Sequence, residues 1–309
     1  LMTDASVKQS EAGSAVAVTI VGAGAPHPAP DRFGSAVVIE LDGRALVVDC
    51  GPATTYKMHR SGIHPTQVDG LLFTHHHFDH NAGTPALLMT RWESTITGHE
   101  PLEIRGPVGT ARFIDALVGE EGAFRPDIEA RRRAEVSRNK FVHYGGTLPR
   151  PDLETRTAEL RVGDSSKIGE DWRITTGAAY HVQPYHESIA YRIEVAGRSI
   201  VVTGDTEYCP ELEVLAQGAD LMIAMCVGTE EQYAALGNRQ MAQMAAGEVN
   251  RIARAAGVGA VALTHTSAAF ASHPHRERGI RQVGRDFDGD VLFADEGLQL
   301  ELGGDGRIR

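Results

Sequence analysis

The chain has 309 residues, 42% of them hydrophobic and 23% charged, with a net charge of −11. Such a length supports one large core or two modest ones, and the composition is that of an ordinary globular protein. The acid excess weighs against a bulk nucleic-acid binder, no apolar run approaches the ~18 residues of a membrane span, and three cysteines are too few for a disulfide framework. A reducing, cytoplasmic setting is therefore expected.

Residues 1–14 read as a flexible terminus. The apolar stretch behind them, Val16–Val21, lacks a basic lead and reads as a first strand rather than a signal peptide. Further β-like runs follow at Ala36–Leu41, Ala45–Val48 and Val68–Phe73, with helical composition at Ala53–Ser61 and Thr84–Glu93. LEIRGPVG (102–109) reads as strand plus turn, and an amphipathic helix follows over Thr110–Gly119. Residues 120–158 differ: EARRRAEVSRNK is basic and YGGTLPRPD is rich in turn residues. This segment is either a solvated helix with a surface loop or a cap over a pocket.

Beyond it, ELRVG and WRITTGAAYH read as strands, and SIAYRIEVAGRSIVVTGDT as a hairpin turning at AGR. A helix at Glu211–Ala216, a buried strand in ADLMIAMCVG and a long helix at Gln240–Ala256 lead to GAVALTHTSAAF; DVLFADEGLQLEL closes the chain. Two β-rich halves with interspersed helices, and neither repeat nor linker, predict a single domain over 15–309, a layered sandwich with sheets inside.

The residues that carry chemistry gather first in THHHFDHN (74–81). At a strand end, period-2 geometry points His75 and His77 to one side and His76 to the other. The following turn brings Asp79 and His80 beside the first pair, which suits two adjacent metals. Imidazole with carboxylate favours zinc and admits manganese, iron or cobalt; the lack of cysteine points to an open catalytic site. Distant partners exist. ITTGAAYH ends at His181, VVTGDT holds Asp205 and VALTH ends at His265, each an apolar run leading into a ligand-capable residue. His186 competes with His181, which follows its strand directly. Asp205 also has the plain reading of a turn cap.

In order and spacing, H-x-H-x-D-H (His75, His77, Asp79, His80), the later histidine, G-D-T and the final L-T-H resemble the metallo-β-lactamase superfamily, in particular its ribonuclease Z and arylsulfatase-like branch. VGAGAP and VVDCGP resemble its opening strands, so the resemblance runs from about Val16 to Leu302. It implies a four-layer αββα sandwich. It implies one metal on His75, His77 and His181, a second on Asp79, His80 and His265, and Asp205 bridging them, with Asp79 and Asp205 as the catalytic carboxylates. A homodimer is implied by the family alone. His76 is expected to pack, Cys50 to be buried and Asp49 to orient a histidine. His27 and Arg32, in the loop after the first strand, are candidates to meet an anionic substrate; Arg32 has the plain alternative of an ion pair. Tyr208 and Phe270 are candidates to line a pocket, and His273 and His275 are expected at the surface.

Two divalent metals would acidify a shared water, which predicts hydrolysis without a covalent enzyme intermediate; no G-x-S-x-G is present. The family resemblance suggests a phosphodiester. Two departures argue against tRNA processing: only a short hairpin separates His181 from Asp205, and NRQMAQMAAGEV places Gln243 where that family carries a proton-donating histidine. A small phosphodiester is expected, with a carboxylic ester, lactone or sulfate ester as alternatives. Redox relatives of this fold are disfavoured by His80 and by the lack of a flavodoxin partner; a mononuclear iron dioxygenase is the other rival.

Overall fold

The computed structural model describes residues 15–98, 100–235, 237, 241–303 and 308–309. The terminus expected at 1–14 and the expected helix start at Gln240 lie outside the described residues.

The first sheet contains β1 (Val16–Ala23), β2 (Ser35–Leu41), β3 (Arg44–Val48), β4 (Val68–Leu72), β5 (Leu102–Gly106), β6 (Thr155–Glu159) and β14 (Leu298–Leu302). Its order is β14-β1-β2-β3-β4-β5-β6. The second sheet contains β7 (Ser165–Ile168), β8 (Trp172–Ala179), β9 (Ser188–Val195), β10 (Arg198–Val202), β11 (Leu221–Met225), β12 (Ala260–Thr264) and β13 (Asp290–Phe293), in the order β13-β12-β11-β10-β9-β8-β7. In each sheet one half is antiparallel and the other, β3 to β6 and β10 to β13, is parallel.

Strand periodicity explains the layering. Val37 and Ile39 face the space between the sheets, together with Ile193, Ile200 and Ile223, while Ala36 and Val38 face outward. In the second sheet Leu221 and Ile223 point inward, and Met222 and Ala224 point to the outer helices. Strands buried on both faces must be apolar at every position, which is why these runs read as continuous rather than alternating. Helices cover the outer faces: α1 (Thr54–Arg60), α2 (Phe78–Asn81), α3 (Thr84–Ser94), α4 (Thr110–Val118), α5 (Arg125–Arg133) and α6 (Glu135–His143) accompany the first sheet. The second half of the chain carries α7 (Pro210–Leu215), α8 (Glu230–Ala234), α9 (Ala246–Ala256), α10 (Ala268–Ala271) and α11 (His275–Val283). Met58, Leu87 and Ile114 pack on the first sheet, and Leu212, Ile252 and Val283 on the second. Helix, sheet, sheet, helix is the expected four-layer order.

Two local expectations are corrected. ELRVG contains the end of β6 and the turn beyond it; residues 160–164 carry the chain from the edge of one sheet to the edge of the other, which a strand cannot do. The long helix starts at Ala246, where the Glu248 carboxylate caps the Ala245 N–H at 2.8 Å. DVLFADEGLQLEL splits, its first part joining the second sheet and its last part the first.

Within residues 120–158 the α5–α6 pair is anchored at the start of β4, the end away from the histidines. Arg91, near the end of α3, donates to the Val68 carbonyl at the start of β4. The α5–α6 pair docks beside it, with Arg150 over the Trp92 ring at 4.0 Å and paired with Glu93 at 2.8 Å. His75 follows the other end of β4, a strand length of about 20 Å away. The basic cluster is neutralised locally: Arg125 pairs with Asp152 and Glu129, Arg131 with Asp127, and Arg132 with Glu129. The solvated-helix reading therefore fits this segment.

Candidate metal centre

Five strand ends meet at one rim. Asp49 follows β3, His75 follows β4, His181 follows β8, Asp205 follows β10 and His265 follows β12. Parallel direction among β3 and β4, and among β10 and β12, places these ends together, and α2 folds Asp79 and His80 back onto them.

The side chains form two donor sets. In the first, His75 Nε2 lies 3.1 Å from His77 Nδ1, and His181 Nε2 lies 3.3 Å from the same atom. In the second, His265 Nε2 lies 3.2 Å from Asp79 Oδ2, and His80 Nε2 lies 3.6 Å from it. Asp205 stands between them: one oxygen is 3.5 Å from His80 Nε2, the other 3.2 Å from His265 Nε2 and 3.8 Å from His181 Nε2. His75–His77–His181, Asp79–His80–His265 and His75–His80–Asp205 each bring their donor atoms close enough to hold a metal ion.

The residues fit that group on their own chemistry. Tetrahedral zinc at about 2.0–2.1 Å from its ligands sets them about 3.3–3.4 Å apart, close to the spacings here. Asp79 Oδ1, His80 Nε2 and Asp205 Oδ1 are buried with no hydrogen-bond partner, a cost of about 1–3 kcal/mol each when nothing meets them. A cation removes it.

The rings are oriented from behind. Asp49 accepts from the Thr74 N–H and hydroxyl, both at 2.8 Å, and lies 2.7 Å from His80 Nδ1. Thr74 Oγ1 in turn lies 3.1 Å from His75 Nδ1, and the Ala242 carbonyl 2.9 Å from His181 Nδ1. Each contact leaves Nε2 to face the cluster. Burial works against the Asp205 carboxylate, but His265 and His80 beside it hold it well below the usual carboxylate range. Burial likewise disfavours charge on His80, yet Asp49 and Asp205 raise it well above an ordinary histidine.

The other candidates divide. His186 is half-buried and its ring centroid lies 5.3 Å from that of His77, so it borders the first donor set without joining it. His76 turns the other way, 2.9 Å from the Thr110 hydroxyl and tilted against Phe73 and Phe113. His27 is exposed on the β1–β2 loop. Arg32 does not face solvent: it is 2% exposed and pairs with Asp295 at 2.9 Å, so the ion-pair reading replaces the anion-binding one. Tyr208 is likewise occupied, its hydroxyl on Glu213 and its ring under Arg251. Phe270 is fully buried against Phe293 and belongs to the core. His273 is exposed beside Glu277 and His275 is half-buried. Sequence reasoning missed Thr74 and the Ala242 carbonyl; the first stands next to His75, but no residue type marks the second.

The family described as the metallo-beta-lactamase superfamily matches residues 29–225. The chain belongs to the metallo-beta-lactamase superfamily. Within it, the ribonuclease Z of Mycobacterium sp. (strain KMS) is 31% identical over 256 residues, 81% of this chain and 84% of that protein. The ribonuclease Z of Mycolicibacterium paratuberculosis (strain ATCC BAA-968 / K-10) is 29% identical over 289 residues, 91% of this chain and 96% of that one. The solved metallo-beta-lactamase fold protein YhfI from Bacillus subtilis shares the fold with a TM-score of 0.72 at 21% identity, over 93% of this chain and 99% of that one.

Proposed function

We propose that this protein is a metal-dependent hydrolase of ester-type bonds, holding two divalent ions, zinc by preference, and acting on a small phosphodiester. The observation that carries the reading is the division of seven side chains into two donor sets with Asp205 between them. His75, His77 and His181 would hold one ion, Asp79, His80 and His265 the other, with Asp205 shared. Bound there, two such ions supply Lewis acidity and a water acidified towards neutrality.

The chain's own residues do the rest. Asp79 has Oδ2 beside His265 and an unpartnered Oδ1, so it offers a carboxylate oxygen to an ion in the second set. His186, at the edge of the first donor set, is placed to hydrogen-bond a substrate oxygen. The three cysteines do not compete as nucleophiles: Cys50 and Cys226 are buried with thiols pushed up to about 12, and Cys209 to about 11. Thiols at those values stay protonated and inert at neutral pH, which supports direct hydrolysis.

The small size of the substrate is supported by the net charge of −11 and by the chain between His181 and Asp205, which holds only the loop to β9 and the tight β9–β10 hairpin. RNA is the second reading, supported by the similarity to ribonuclease Z proteins. A panel of bis(p-nitrophenyl) phosphate, p-nitrophenyl acetate, p-nitrophenyl sulfate, a lactone and a precursor tRNA separates these on zinc-loaded protein. Turnover of the phosphodiester alone supports the proposal; cleavage of the precursor alone replaces it with the RNA reading. Asp79→Ala and His265→Ala are each expected to abolish turnover and lower metal content. Full activity in either variant would sink the site map.

A further inference from the structure

His80, His75 and His181 each have the ring nitrogen that points away from the cluster held, by Asp49, Thr74 and the Ala242 carbonyl. His265 is different. Its Nδ1 is buried with no hydrogen-bond partner, and its backbone sits at φ 54°, a conformation uncommon outside glycine. Its direction must be fixed through the backbone.

The next residue provides the anchor. Thr266 is fully buried, donates its N–H to the Ala23 carbonyl at 3.0 Å and pairs with Gly24 in a parallel bridge. Its hydroxyl accepts from Arg32 Nη1 at 2.7 Å. The same guanidinium reaches the Ala294 carbonyl at 3.5 Å and Asp295 at 2.9 Å, above the Phe293 ring. One side chain thus joins the β1–β2 loop, the residue after His265 and the turn between β13 and β14. It fastens the two sheets together directly behind the second donor set.

We propose that Arg32 is a positioning residue for His265, acting through Thr266, and that it sets the metal affinity of the Asp79–His80–His265 set. The inference rests on the two-metal reading. A planar fork with five donors can meet three acceptors in fixed directions, whereas a lysine ammonium cannot hold the same geometry. Lysine at this position keeps the charge and loses the clamp.

The test is a cobalt(II) titration of metal-stripped protein, read by visible absorption and by metal content. The wild type is expected to take two cobalt ions per chain. Arg32→Lys and Thr266→Val should fill the first equivalent as the wild type does and bind the second about 10–100-fold more weakly. Adding His77→Ala to either should remove the retained ion, placing it at the first donor set. Asp31→Asn, which alters only the partner of Arg32 next to it in the chain and leaves Thr266, Ala294 and Asp295 in place, should leave both equivalents unchanged. Thr266→Val keeps the side-chain shape and the Thr266 N–H, so it reports on the clamp even where Arg32→Lys perturbs folding. Two equivalents bound at wild-type affinity in folded Thr266→Val and Arg32→Lys would overturn the inference and leave the two-metal reading intact. Fewer than two ions in the wild type would overturn both.

Discussion

In the first donor set His77 and His181 are half-buried and only His75 is fully buried, whereas Asp79, His80 and His265 are all at most 2% exposed. The two donor sets, three histidines in one and two histidines with an aspartate in the other, also differ in support. The open set comes from two strand ends, with one of its rings, that of His181, held by a backbone carbonyl. The closed set packs among Asp49, Asp205 and the Arg32 seam. Under the proposed function the contrast separates two tasks: the open set is where a substrate would arrive, and the closed set is where charge would be fixed before it does.

Removing the shared group breaks the comparison altogether. Asp205→Ala is expected to empty both sets and lower turnover by about 10³-fold or more, checked by metal content and steady-state kinetics. Asp49→Asn comes next, because one carboxylate serves His80 directly and His75 through Thr74. An amide oxygen can still meet the Thr74 hydroxyl and His80, but its NH2 would then face the Thr74 N–H, a donor against a donor, so metal affinity should fall about 10–100-fold in both sets. Thr74→Val sharpens the contrast: it removes the partner of His75 Nδ1, while Asp49 keeps its own contact with His80, so the open set should weaken by about tenfold and the closed set by less. The smallest effect is on the thiols. With Cys50, Cys209 and Cys226 raised to about 11–12, a disulfide reagent at pH 8 should find almost no thiolate in the folded protein and three reactive thiols after denaturation.

Much of this centre is legible in the sequence because its geometry is local. Two-residue periodicity separates His75 and His77 from His76, and the structure sends His76 to Thr110 instead. His181, Asp205 and His265 are legible as strand ends, since an apolar run that stops at a polar residue marks a rim. The fates of Arg32 and Tyr208 are not legible, because their partners are set by tertiary packing; Asp295 lies 263 residues from Arg32. Likewise β6 and β7 are short edge strands, TRTAE and SSKI, whose polar faces carry little apolar signal, so the turn between them reads as a strand. Residues 120–158 read as two options because composition shows that arginines are solvated but not at which end of a sheet they lie.

Three glycines around the metal motif have a consequence for how such a protein can change over time. A Cβ on Gly51 would stand 2.2 Å from the Asp79 carbonyl, one on Gly83 2.2 Å from the Gly51 carbonyl, and one on Gly34 2.8 Å from the Asp79 carbonyl. The loops that present Asp79 and His80 are therefore in backbone-to-backbone contact, with no side-chain thickness left to adjust. Substitution at these three positions is closed off, so the backbone that presents Asp79 and His80 is inherited as a unit. The rim, where His186 and the exposed Phe78 and Tyr185 stand free of that interlock, is where side chains stay open to selection.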